Sequence, residues 1–215
     1  MKGLLRRQFR YTYANYTLIL IMLNVFVYLL TSMNRRVLIY LAMIPGIVVE
    51  NGYIWQVFTY MFAHANFSHL LFNMIGLFFF GTQIERRMGS REFLFFYLLT
   101  GTLAGIFSFF LYLFSGGYSV ILLGASGAVF AVLFAFAVFF PHARIFVFGI
   151  LPVRAPILVI AYTAIELFSQ FSRVQTGVAH LTHLAGFAFA FLYFRVRLQI
   201  DPIDTWKRSG RGPWG

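Results

Sequence analysis

The sequence predicts an all-α fold: a polytopic membrane bundle of six transmembrane helices, with a long, partly membrane-embedded first loop and both termini cytoplasmic. Three observations lead there. Of 215 residues, 60% are hydrophobic and 11% charged, against about 25% charged in soluble domains. The charges fall in short clusters separated by apolar intervals, of which the longest, Phe93 to Ala143, holds no Asp, Glu, Lys or Arg. The clusters are mostly basic and lie on alternate connections, as the positive-inside rule requires. A chain of this length is one domain, so residues 1–215 are read as a single membrane domain whose activity lies in or at the bilayer.

A bilayer core takes about 20 apolar residues in a helix, and the charge-free intervals place the spans in order. The interval from Tyr11 to Asn34 gives a first span at residues 17–33. A charged N-terminus before an apolar run resembles a signal peptide, but no small-residue cleavage site follows, so the helix is read as retained. The interval from Asn51 to Ile84 yields a second span at 67–83 after a more polar, aromatic lead-in. Ser115-Gly116-Gly117-Tyr118-Ser119 is the turn-like cluster that divides the longest interval. It leaves a third span at 93–114 and a fourth at 126–140, stopped by Pro141. A fifth covers 155–170 and a sixth 178–194, and residues 201–215 form a polar tail, interfacial or disordered, with no assigned chemistry.

Of the 17 lysines and arginines, all but Arg35, Arg36 and Arg173 fall on the N-terminus, the second-to-third and fourth-to-fifth connections, and the tail. That side is therefore cytoplasmic, and the turn into Ser126 faces outward. The net charge of +11 is read as topology-setting and lipid-facing, with no nucleic-acid partner. There is no cysteine, which excludes disulfides, thiolate nucleophiles and cysteine metal sites. The 29 phenylalanines are read as lipid-facing surface, and Gly101-x-x-x-Gly105 as helix packing.

Two connections differ from the rest. Residues 34–66 are too long for a plain connector and carry Tyr40, Tyr53, Trp55 and Tyr60, types that settle at a membrane interface. The fourth span covers only about 22 Å of a core about 30 Å thick, so Ser126 lies below the outer surface. Non-helical backbone at that depth must be buried or line water, and the residues before Ser126 are expected to border a hydrated cavity.

Polar residues inside spans are costly in hydrocarbon. His69 and Asn73 share a face of the second span, and His180 and His183 lie one turn apart on the sixth. Small residues at Gly186 and Ala190 on the sixth span, and Gly127, Ala131 and Ala135 on the fourth, form two stripes. Packing them would bring His183 near Ser126. A hydroxyl and a base are what amide hydrolysis needs. His69, Asn73 and the Ser126 backbone amide are candidate oxyanion donors. No carboxylate is assigned as a third member, because Glu166 lies on another helix and spacing alone establishes no contact with His183.

Gly124-Ala125-Ser126-Gly127 on the fourth span, His69-x-x-x-Asn73 on the second and His183-x-x-Gly186-x-x-x-Ala190 on the sixth resemble the rhomboid family of intramembrane serine proteases, in motif order and over nearly the whole chain. The resemblance implies a Ser126–His183 catalytic dyad. It also implies an oxyanion hole from His69, Asn73 and, by position before the serine, Gly124. Supporting roles fall to Gly127, Phe130, Gly186 and His180, to Trp55 of a first-loop motif, and to Glu85-x-Arg87 at the end of the second span. The implied reaction needs no cofactor or metal and acts on single-span membrane proteins, with the site opening to the extracytoplasmic side of a prokaryotic plasma membrane. Three positions depart from the family: Gln56 replaces an arginine beside Trp55, Phe130 stands for a tyrosine, and Ala190 for a glycine. A Gly-x-Ser-Gly is by itself more often packing than catalysis, so a silent client-binding relative and a small transporter stand as rival readings. The presence of both Ser126 and His183, and the lack of an inverted repeat, count against them.

Overall fold

The computed structural model describes residues 8–147, 149–171 and 180–210. Lys2, Arg6, Arg7, Arg173 and Arg211, all used above for orientation, lie outside these, as do Val178 and Ala179 of the expected sixth span and residues 211–215 of the tail. The described chain is mostly helical: α1 (Tyr16–Met33), α2 (Arg35–Leu41), α3 (Pro45–Asn51), α4 (Gln56–Thr59), α5 (Phe67–Gly76), α6 (Thr82–Met88), α7 (Ser90–Phe114), α8 (Ser126–Phe139), α9 (Ala155–Phe171), α10 (His180–Tyr193) and α11 (Pro202–Gly210). A π turn at Leu77–Gly81 joins α5 to α6 as one rod. Among the described residues, Tyr16–Met33, Phe67–Met88 and Ser90–Phe114 are long and apolar enough to cross a membrane, and Ser126–Phe139 and Ala155–Ser169 are shorter apolar helices. Together they make a membrane helical bundle.

Local chemistry sets the element ends. The first N–H groups of a helix have no partner within it; for α1, the Tyr16 and Thr17 amides donate to the Glu85 carboxylate at 2.6 and 2.8 Å, joined by the Thr17 hydroxyl at 2.7 Å. Asn34 and Asn66 cap α2 and α5, their side chains accepting from the Arg36 and His69 amides. Pro45 opens α3, where its missing N–H costs nothing.

The first loop folds onto α7. A Cβ on Gly101 would lie 2.6 Å from the Met61 methyl, and one on Gly105 would lie 2.4 Å from the Val57 carbonyl oxygen. The Gly101-x-x-x-Gly105 pair thus admits loop backbone and the Tyr60 ring, whose hydroxyl donates to the Gly101 carbonyl at 2.7 Å; a Cβ on Gly101 would also lie 3.1 Å from the Ala128 Cβ of α8, so the pair serves the expected helix packing and the loop together. Gln56, fully buried, accepts from the Ile44 amide at 3.0 Å and donates to the Ile39 carbonyl at 2.9 Å. A neutral amide therefore ties the loop together where the family resemblance implies an arginine.

The core is built around α8. Every residue from Gly127 to Val138 except Phe130 is buried, as a helix apolar on all sides must be. The phenylalanines divide between two environments: Phe67, Phe72, Phe79 and Phe114 are exposed, whereas Phe93, Phe96 and Phe194 are fully buried. The lipid-facing reading therefore holds for part of the set, and the rest fill the bundle.

Two further features are ones the sequence reading does not describe. The connection after α8 forms a hairpin, β1 (Arg144–Val147) antiparallel to β2 (Leu151–Arg154), with Gly149 in the turn at φ 73°. Of the tail, Pro202–Gly210 form α11: the Trp206 indole N–H donates to the Ala137 carbonyl at 2.9 Å, and its ring lies 5.4 Å from Phe134. That bond satisfies one of the carbonyls that the last turn of α8 leaves open.

Candidate active site

The chain reaches Ser126 through an extended segment. Leu122 and Met43 exchange backbone hydrogen bonds, both at 2.9 Å, and the Gly124 amide donates to the Tyr60 carbonyl at 3.0 Å. This removes Gly124 from the expected oxyanion donors, because its N–H is already engaged. What the position demands is space: Gly124 has φ 118°, and a Cβ there would lie 2.6 Å from both Cε1 and Nε2 of His69. Ser126 then opens α8. Its amide falls in the first turn, where N–H groups have no partner within the helix and the dipole favours negative charge.

Small residues bring α8 and α10 together. A Cβ on Gly186 would sit 2.1 Å from the Gly127 carbonyl oxygen, so the helices cross at backbone contact. Ala190 is fully buried in the same seam. The Thr182 and Ser108 hydroxyls, 2.6 Å apart, tie α10 to α7. This crossing puts His183 Nε2 at 2.7 Å from Ser126 Oγ. Phe130 stacks flat on the imidazole, centroids 4.3 Å apart at 16°.

His183 Nδ1 lies 2.9 Å from Glu166 Oε1 on α9, and His180 Nδ1 lies 2.5 Å from Glu166 Oε2. Spacing did not reveal this cluster. The available signal was the cost of an acid inside an apolar span, which points to a partner without naming it.

His69 and Asn73 line the same cavity as Ser126 and His183, a space of about 1370 Å³. It runs along α8 between α5 and α9, with walls that include Phe72, Leu133 and Leu158. One hydrogen of the Asn73 amide goes to the His69 carbonyl at 2.8 Å, leaving the second for another acceptor. Beside them His64, only 2% exposed, packs edge-on to His69 with centroids 5.2 Å apart. Burial first, and the neighbouring His69 second, push its imidazole down to about 4, so it is neutral near pH 7.

Three expected supporting residues lie away from the cavity. The Trp55 indole N–H donates to the Tyr40 carbonyl at 3.0 Å, and its ring stacks on Tyr53 at 4.4 Å, within the first loop. Glu85 caps α1, as described. The Arg87 guanidinium lies over the Phe139 ring at 5.6 Å, at the far end of α8.

Similarity to known proteins runs through the same residues. The rhomboid domain profile matches residues 51–200, which contain His64, His69, Asn73, Ser126, Glu166, His180 and His183. YdcA of Bacillus subtilis, a candidate rhomboid protease, is 29% identical over 146 residues, 67% of each chain. RHOMBOID-like protein 4 of Arabidopsis thaliana is 31% identical over 166 residues, 77% of this chain and 39% of its own. Rhomboid protease GlpG of Haemophilus influenzae is 31% identical over 134 residues, 62% of this chain and 64% of its own. The chain thus spans about two thirds of two of these relatives and about two fifths of the third. With the profile covering most of its length and these relatives agreeing, the chain belongs to the rhomboid family.

Proposed function

We propose that this protein is an intramembrane serine endopeptidase that cuts membrane proteins, single-span substrates foremost, in or beside their transmembrane segment. The observation that carries this reading is the 2.7 Å approach of Ser126 Oγ to His183 Nε2, at a cavity that also holds His69 and Asn73. In the proposed architecture residues 1–215 form one domain of six spans. Both termini are cytoplasmic and the cavity opens toward the extracytoplasmic face of a multi-pass plasma-membrane protein.

Ser126 Oγ attacks the scissile carbonyl carbon, its proton passes to His183 Nε2, and the carbonyl π electrons move onto oxygen. The Ser126 amide, the remaining Asn73 amide hydrogen and a His69 ring N–H are the donors for that oxyanion, and each such donor is worth roughly 2.7–4 kcal/mol in a dry, preorganised site. His183 returns its proton to the leaving nitrogen as the C–N bond breaks. A water then repeats the attack on the Ser126 ester, giving its proton to His183, and Ser126 regains a proton as the acid product leaves. An intact substrate helix hides its carbonyls in internal hydrogen bonds, so good substrates carry residues that loosen the helix near the outer face. The apolar walls between α5 and α9 suit such a segment. Gly127, Gly186 and Phe130 hold the histidine against the serine, Trp55 and Gln56 hold the first loop, and Glu85 and Arg87 hold the opposite end of the bundle.

The test is cleavage of a model single-span substrate by detergent-purified protein, beside Ser126→Ala and His183→Ala. Wild type is expected to release a discrete fragment and react with a fluorophosphonate at Ser126, and both variants to lose more than about 10³-fold in rate. Cleavage by Ser126→Ala at the wild-type rate would refute the assignment. Client capture without cutting by wild type would favour a silent binding protein.

A further inference from the structure

We propose that Glu166 is a positioning residue that completes a Ser126–His183–Glu166 triad, with His180 as a second clamp on the same carboxylate. The inference rests on the protease reading above and adds to it a residue that neither spacing nor the dyad implied by the family resemblance assigns.

The argument starts from what each atom can do. A carboxylate only accepts hydrogen bonds. Glu166 presents Oε1 to His183 Nδ1 at 2.9 Å and Oε2 to His180 Nδ1 at 2.5 Å. Both facing ring nitrogens must therefore carry hydrogen. For His183 this fixes the tautomer: Nδ1 is protonated, so Nε2 offers its lone pair to the Ser126 hydroxyl 2.7 Å away. The opposite tautomer would present an N–H to Ser126 and could take no proton from it. The Phe130 ring stacked on His183 holds the imidazole plane but does not distinguish its two nitrogens. Only the carboxylate makes that choice.

The carboxylate also meets the charge that catalysis creates. When Nε2 accepts the serine proton, the ring becomes an imidazolium with a negative oxygen at Nδ1, in a site largely withdrawn from water. Glu166 is 7% exposed and His183 8%, so little solvent competes for the interaction. His180 fixes the second oxygen, and with both oxygens engaged the carboxylate cannot turn its lone pairs away. The proton itself never leaves His183 for Glu166; the acid orients and stabilises, and the base remains the histidine.

A purely structural link between α9 and α10 would satisfy the same distances, and the two roles predict different kinetics. Glu166→Gln keeps the size and one acceptor oxygen but removes the charge. As a positioning residue, its loss should leave KM within about threefold and lower kcat by about 10²–10⁴-fold, with fluorophosphonate reaction at Ser126 slowing in parallel. Glu166→Asp, which keeps the carboxylate one methylene shorter, should recover part of that loss. An unchanged kcat in a folded Glu166→Gln protein, or a loss confined to KM, would overturn the proposal in favour of a helix tie. Wild type that neither cuts nor labels would instead defeat the protease reading itself. Should Glu166→Gln fail to fold, nitrogen-15 histidine spectra of the wild type decide alone: His183 protonated at Nδ1 is expected, and protonation at Nε2 overturns the proposal.

Discussion

Gly124 stands at a backbone conformation that L side chains rarely adopt, with the His69 ring where its Cβ would be. Gly124→Ala is expected to cost about 1–3 kcal/mol through strain alone, and to slow cleavage at least about tenfold by displacing His69. The two effects separate by measuring the melting temperature beside the rate on the same preparation; a variant with wild-type melting and rate would remove the steric argument. The meeting of Ser126, His183, His69 and Asn73 around one cavity was legible because the signals are local: a serine between glycines, histidines and an asparagine at helical spacing, and small-residue stripes on the two helices that bring His183 to Ser126. Glu166 was visible as a costly acid but not as a partner, since its meeting with His183 and His180 depends on how α9 crosses α10. The engagement of the Gly124 amide was hidden for a similar reason, because its acceptor belongs to Tyr60, far away in the sequence.

At the scale of elements, hydropathy located the apolar helices well, because water-free surroundings force the backbone into intra-segment hydrogen bonds. It did less for segments whose structure comes from contact with another element. The β1–β2 hairpin is one, and the α11 tail is another, since nothing in its polar composition says that Trp206 reaches the end of α8. Trp206→Ala removes an indole hydrogen bond and a ring contact with Phe134, together worth about 2 kcal/mol. A melting temperature lowered by several degrees, with KM unchanged, is the expected result; no change in melting would mean that α11 does not brace α8. The first loop follows the same logic. Its length marked it as structured, but the sequence reading of Gly101 and Gly105 as helix packing captured only the contact with α8 and not the loop that packs on the same glycines.

Over the whole molecule, the bundle surrounds α8 with the more amphipathic helices, so the least polar segment carries Ser126, the proposed nucleophile, at its end. The orientation of that bundle rests on the basic residues, and the absence of cysteine makes it directly measurable. Met33→Cys, at the exposed end of α1, should react with a membrane-impermeant maleimide in intact cells expressing the protein. Ile150→Cys, at the exposed hairpin tip, should react only after permeabilisation. The reverse pattern would invert the proposed topology. Gln56 has a wider consequence at this scale. Coulombic ties near a membrane surface weaken with salt and vary with the charge of the surrounding lipids, but the amide that fastens the first loop carries no charge. The platform beneath the serine is therefore held by contacts indifferent to ionic strength and headgroup composition, and its shape should persist from one lipid environment to another.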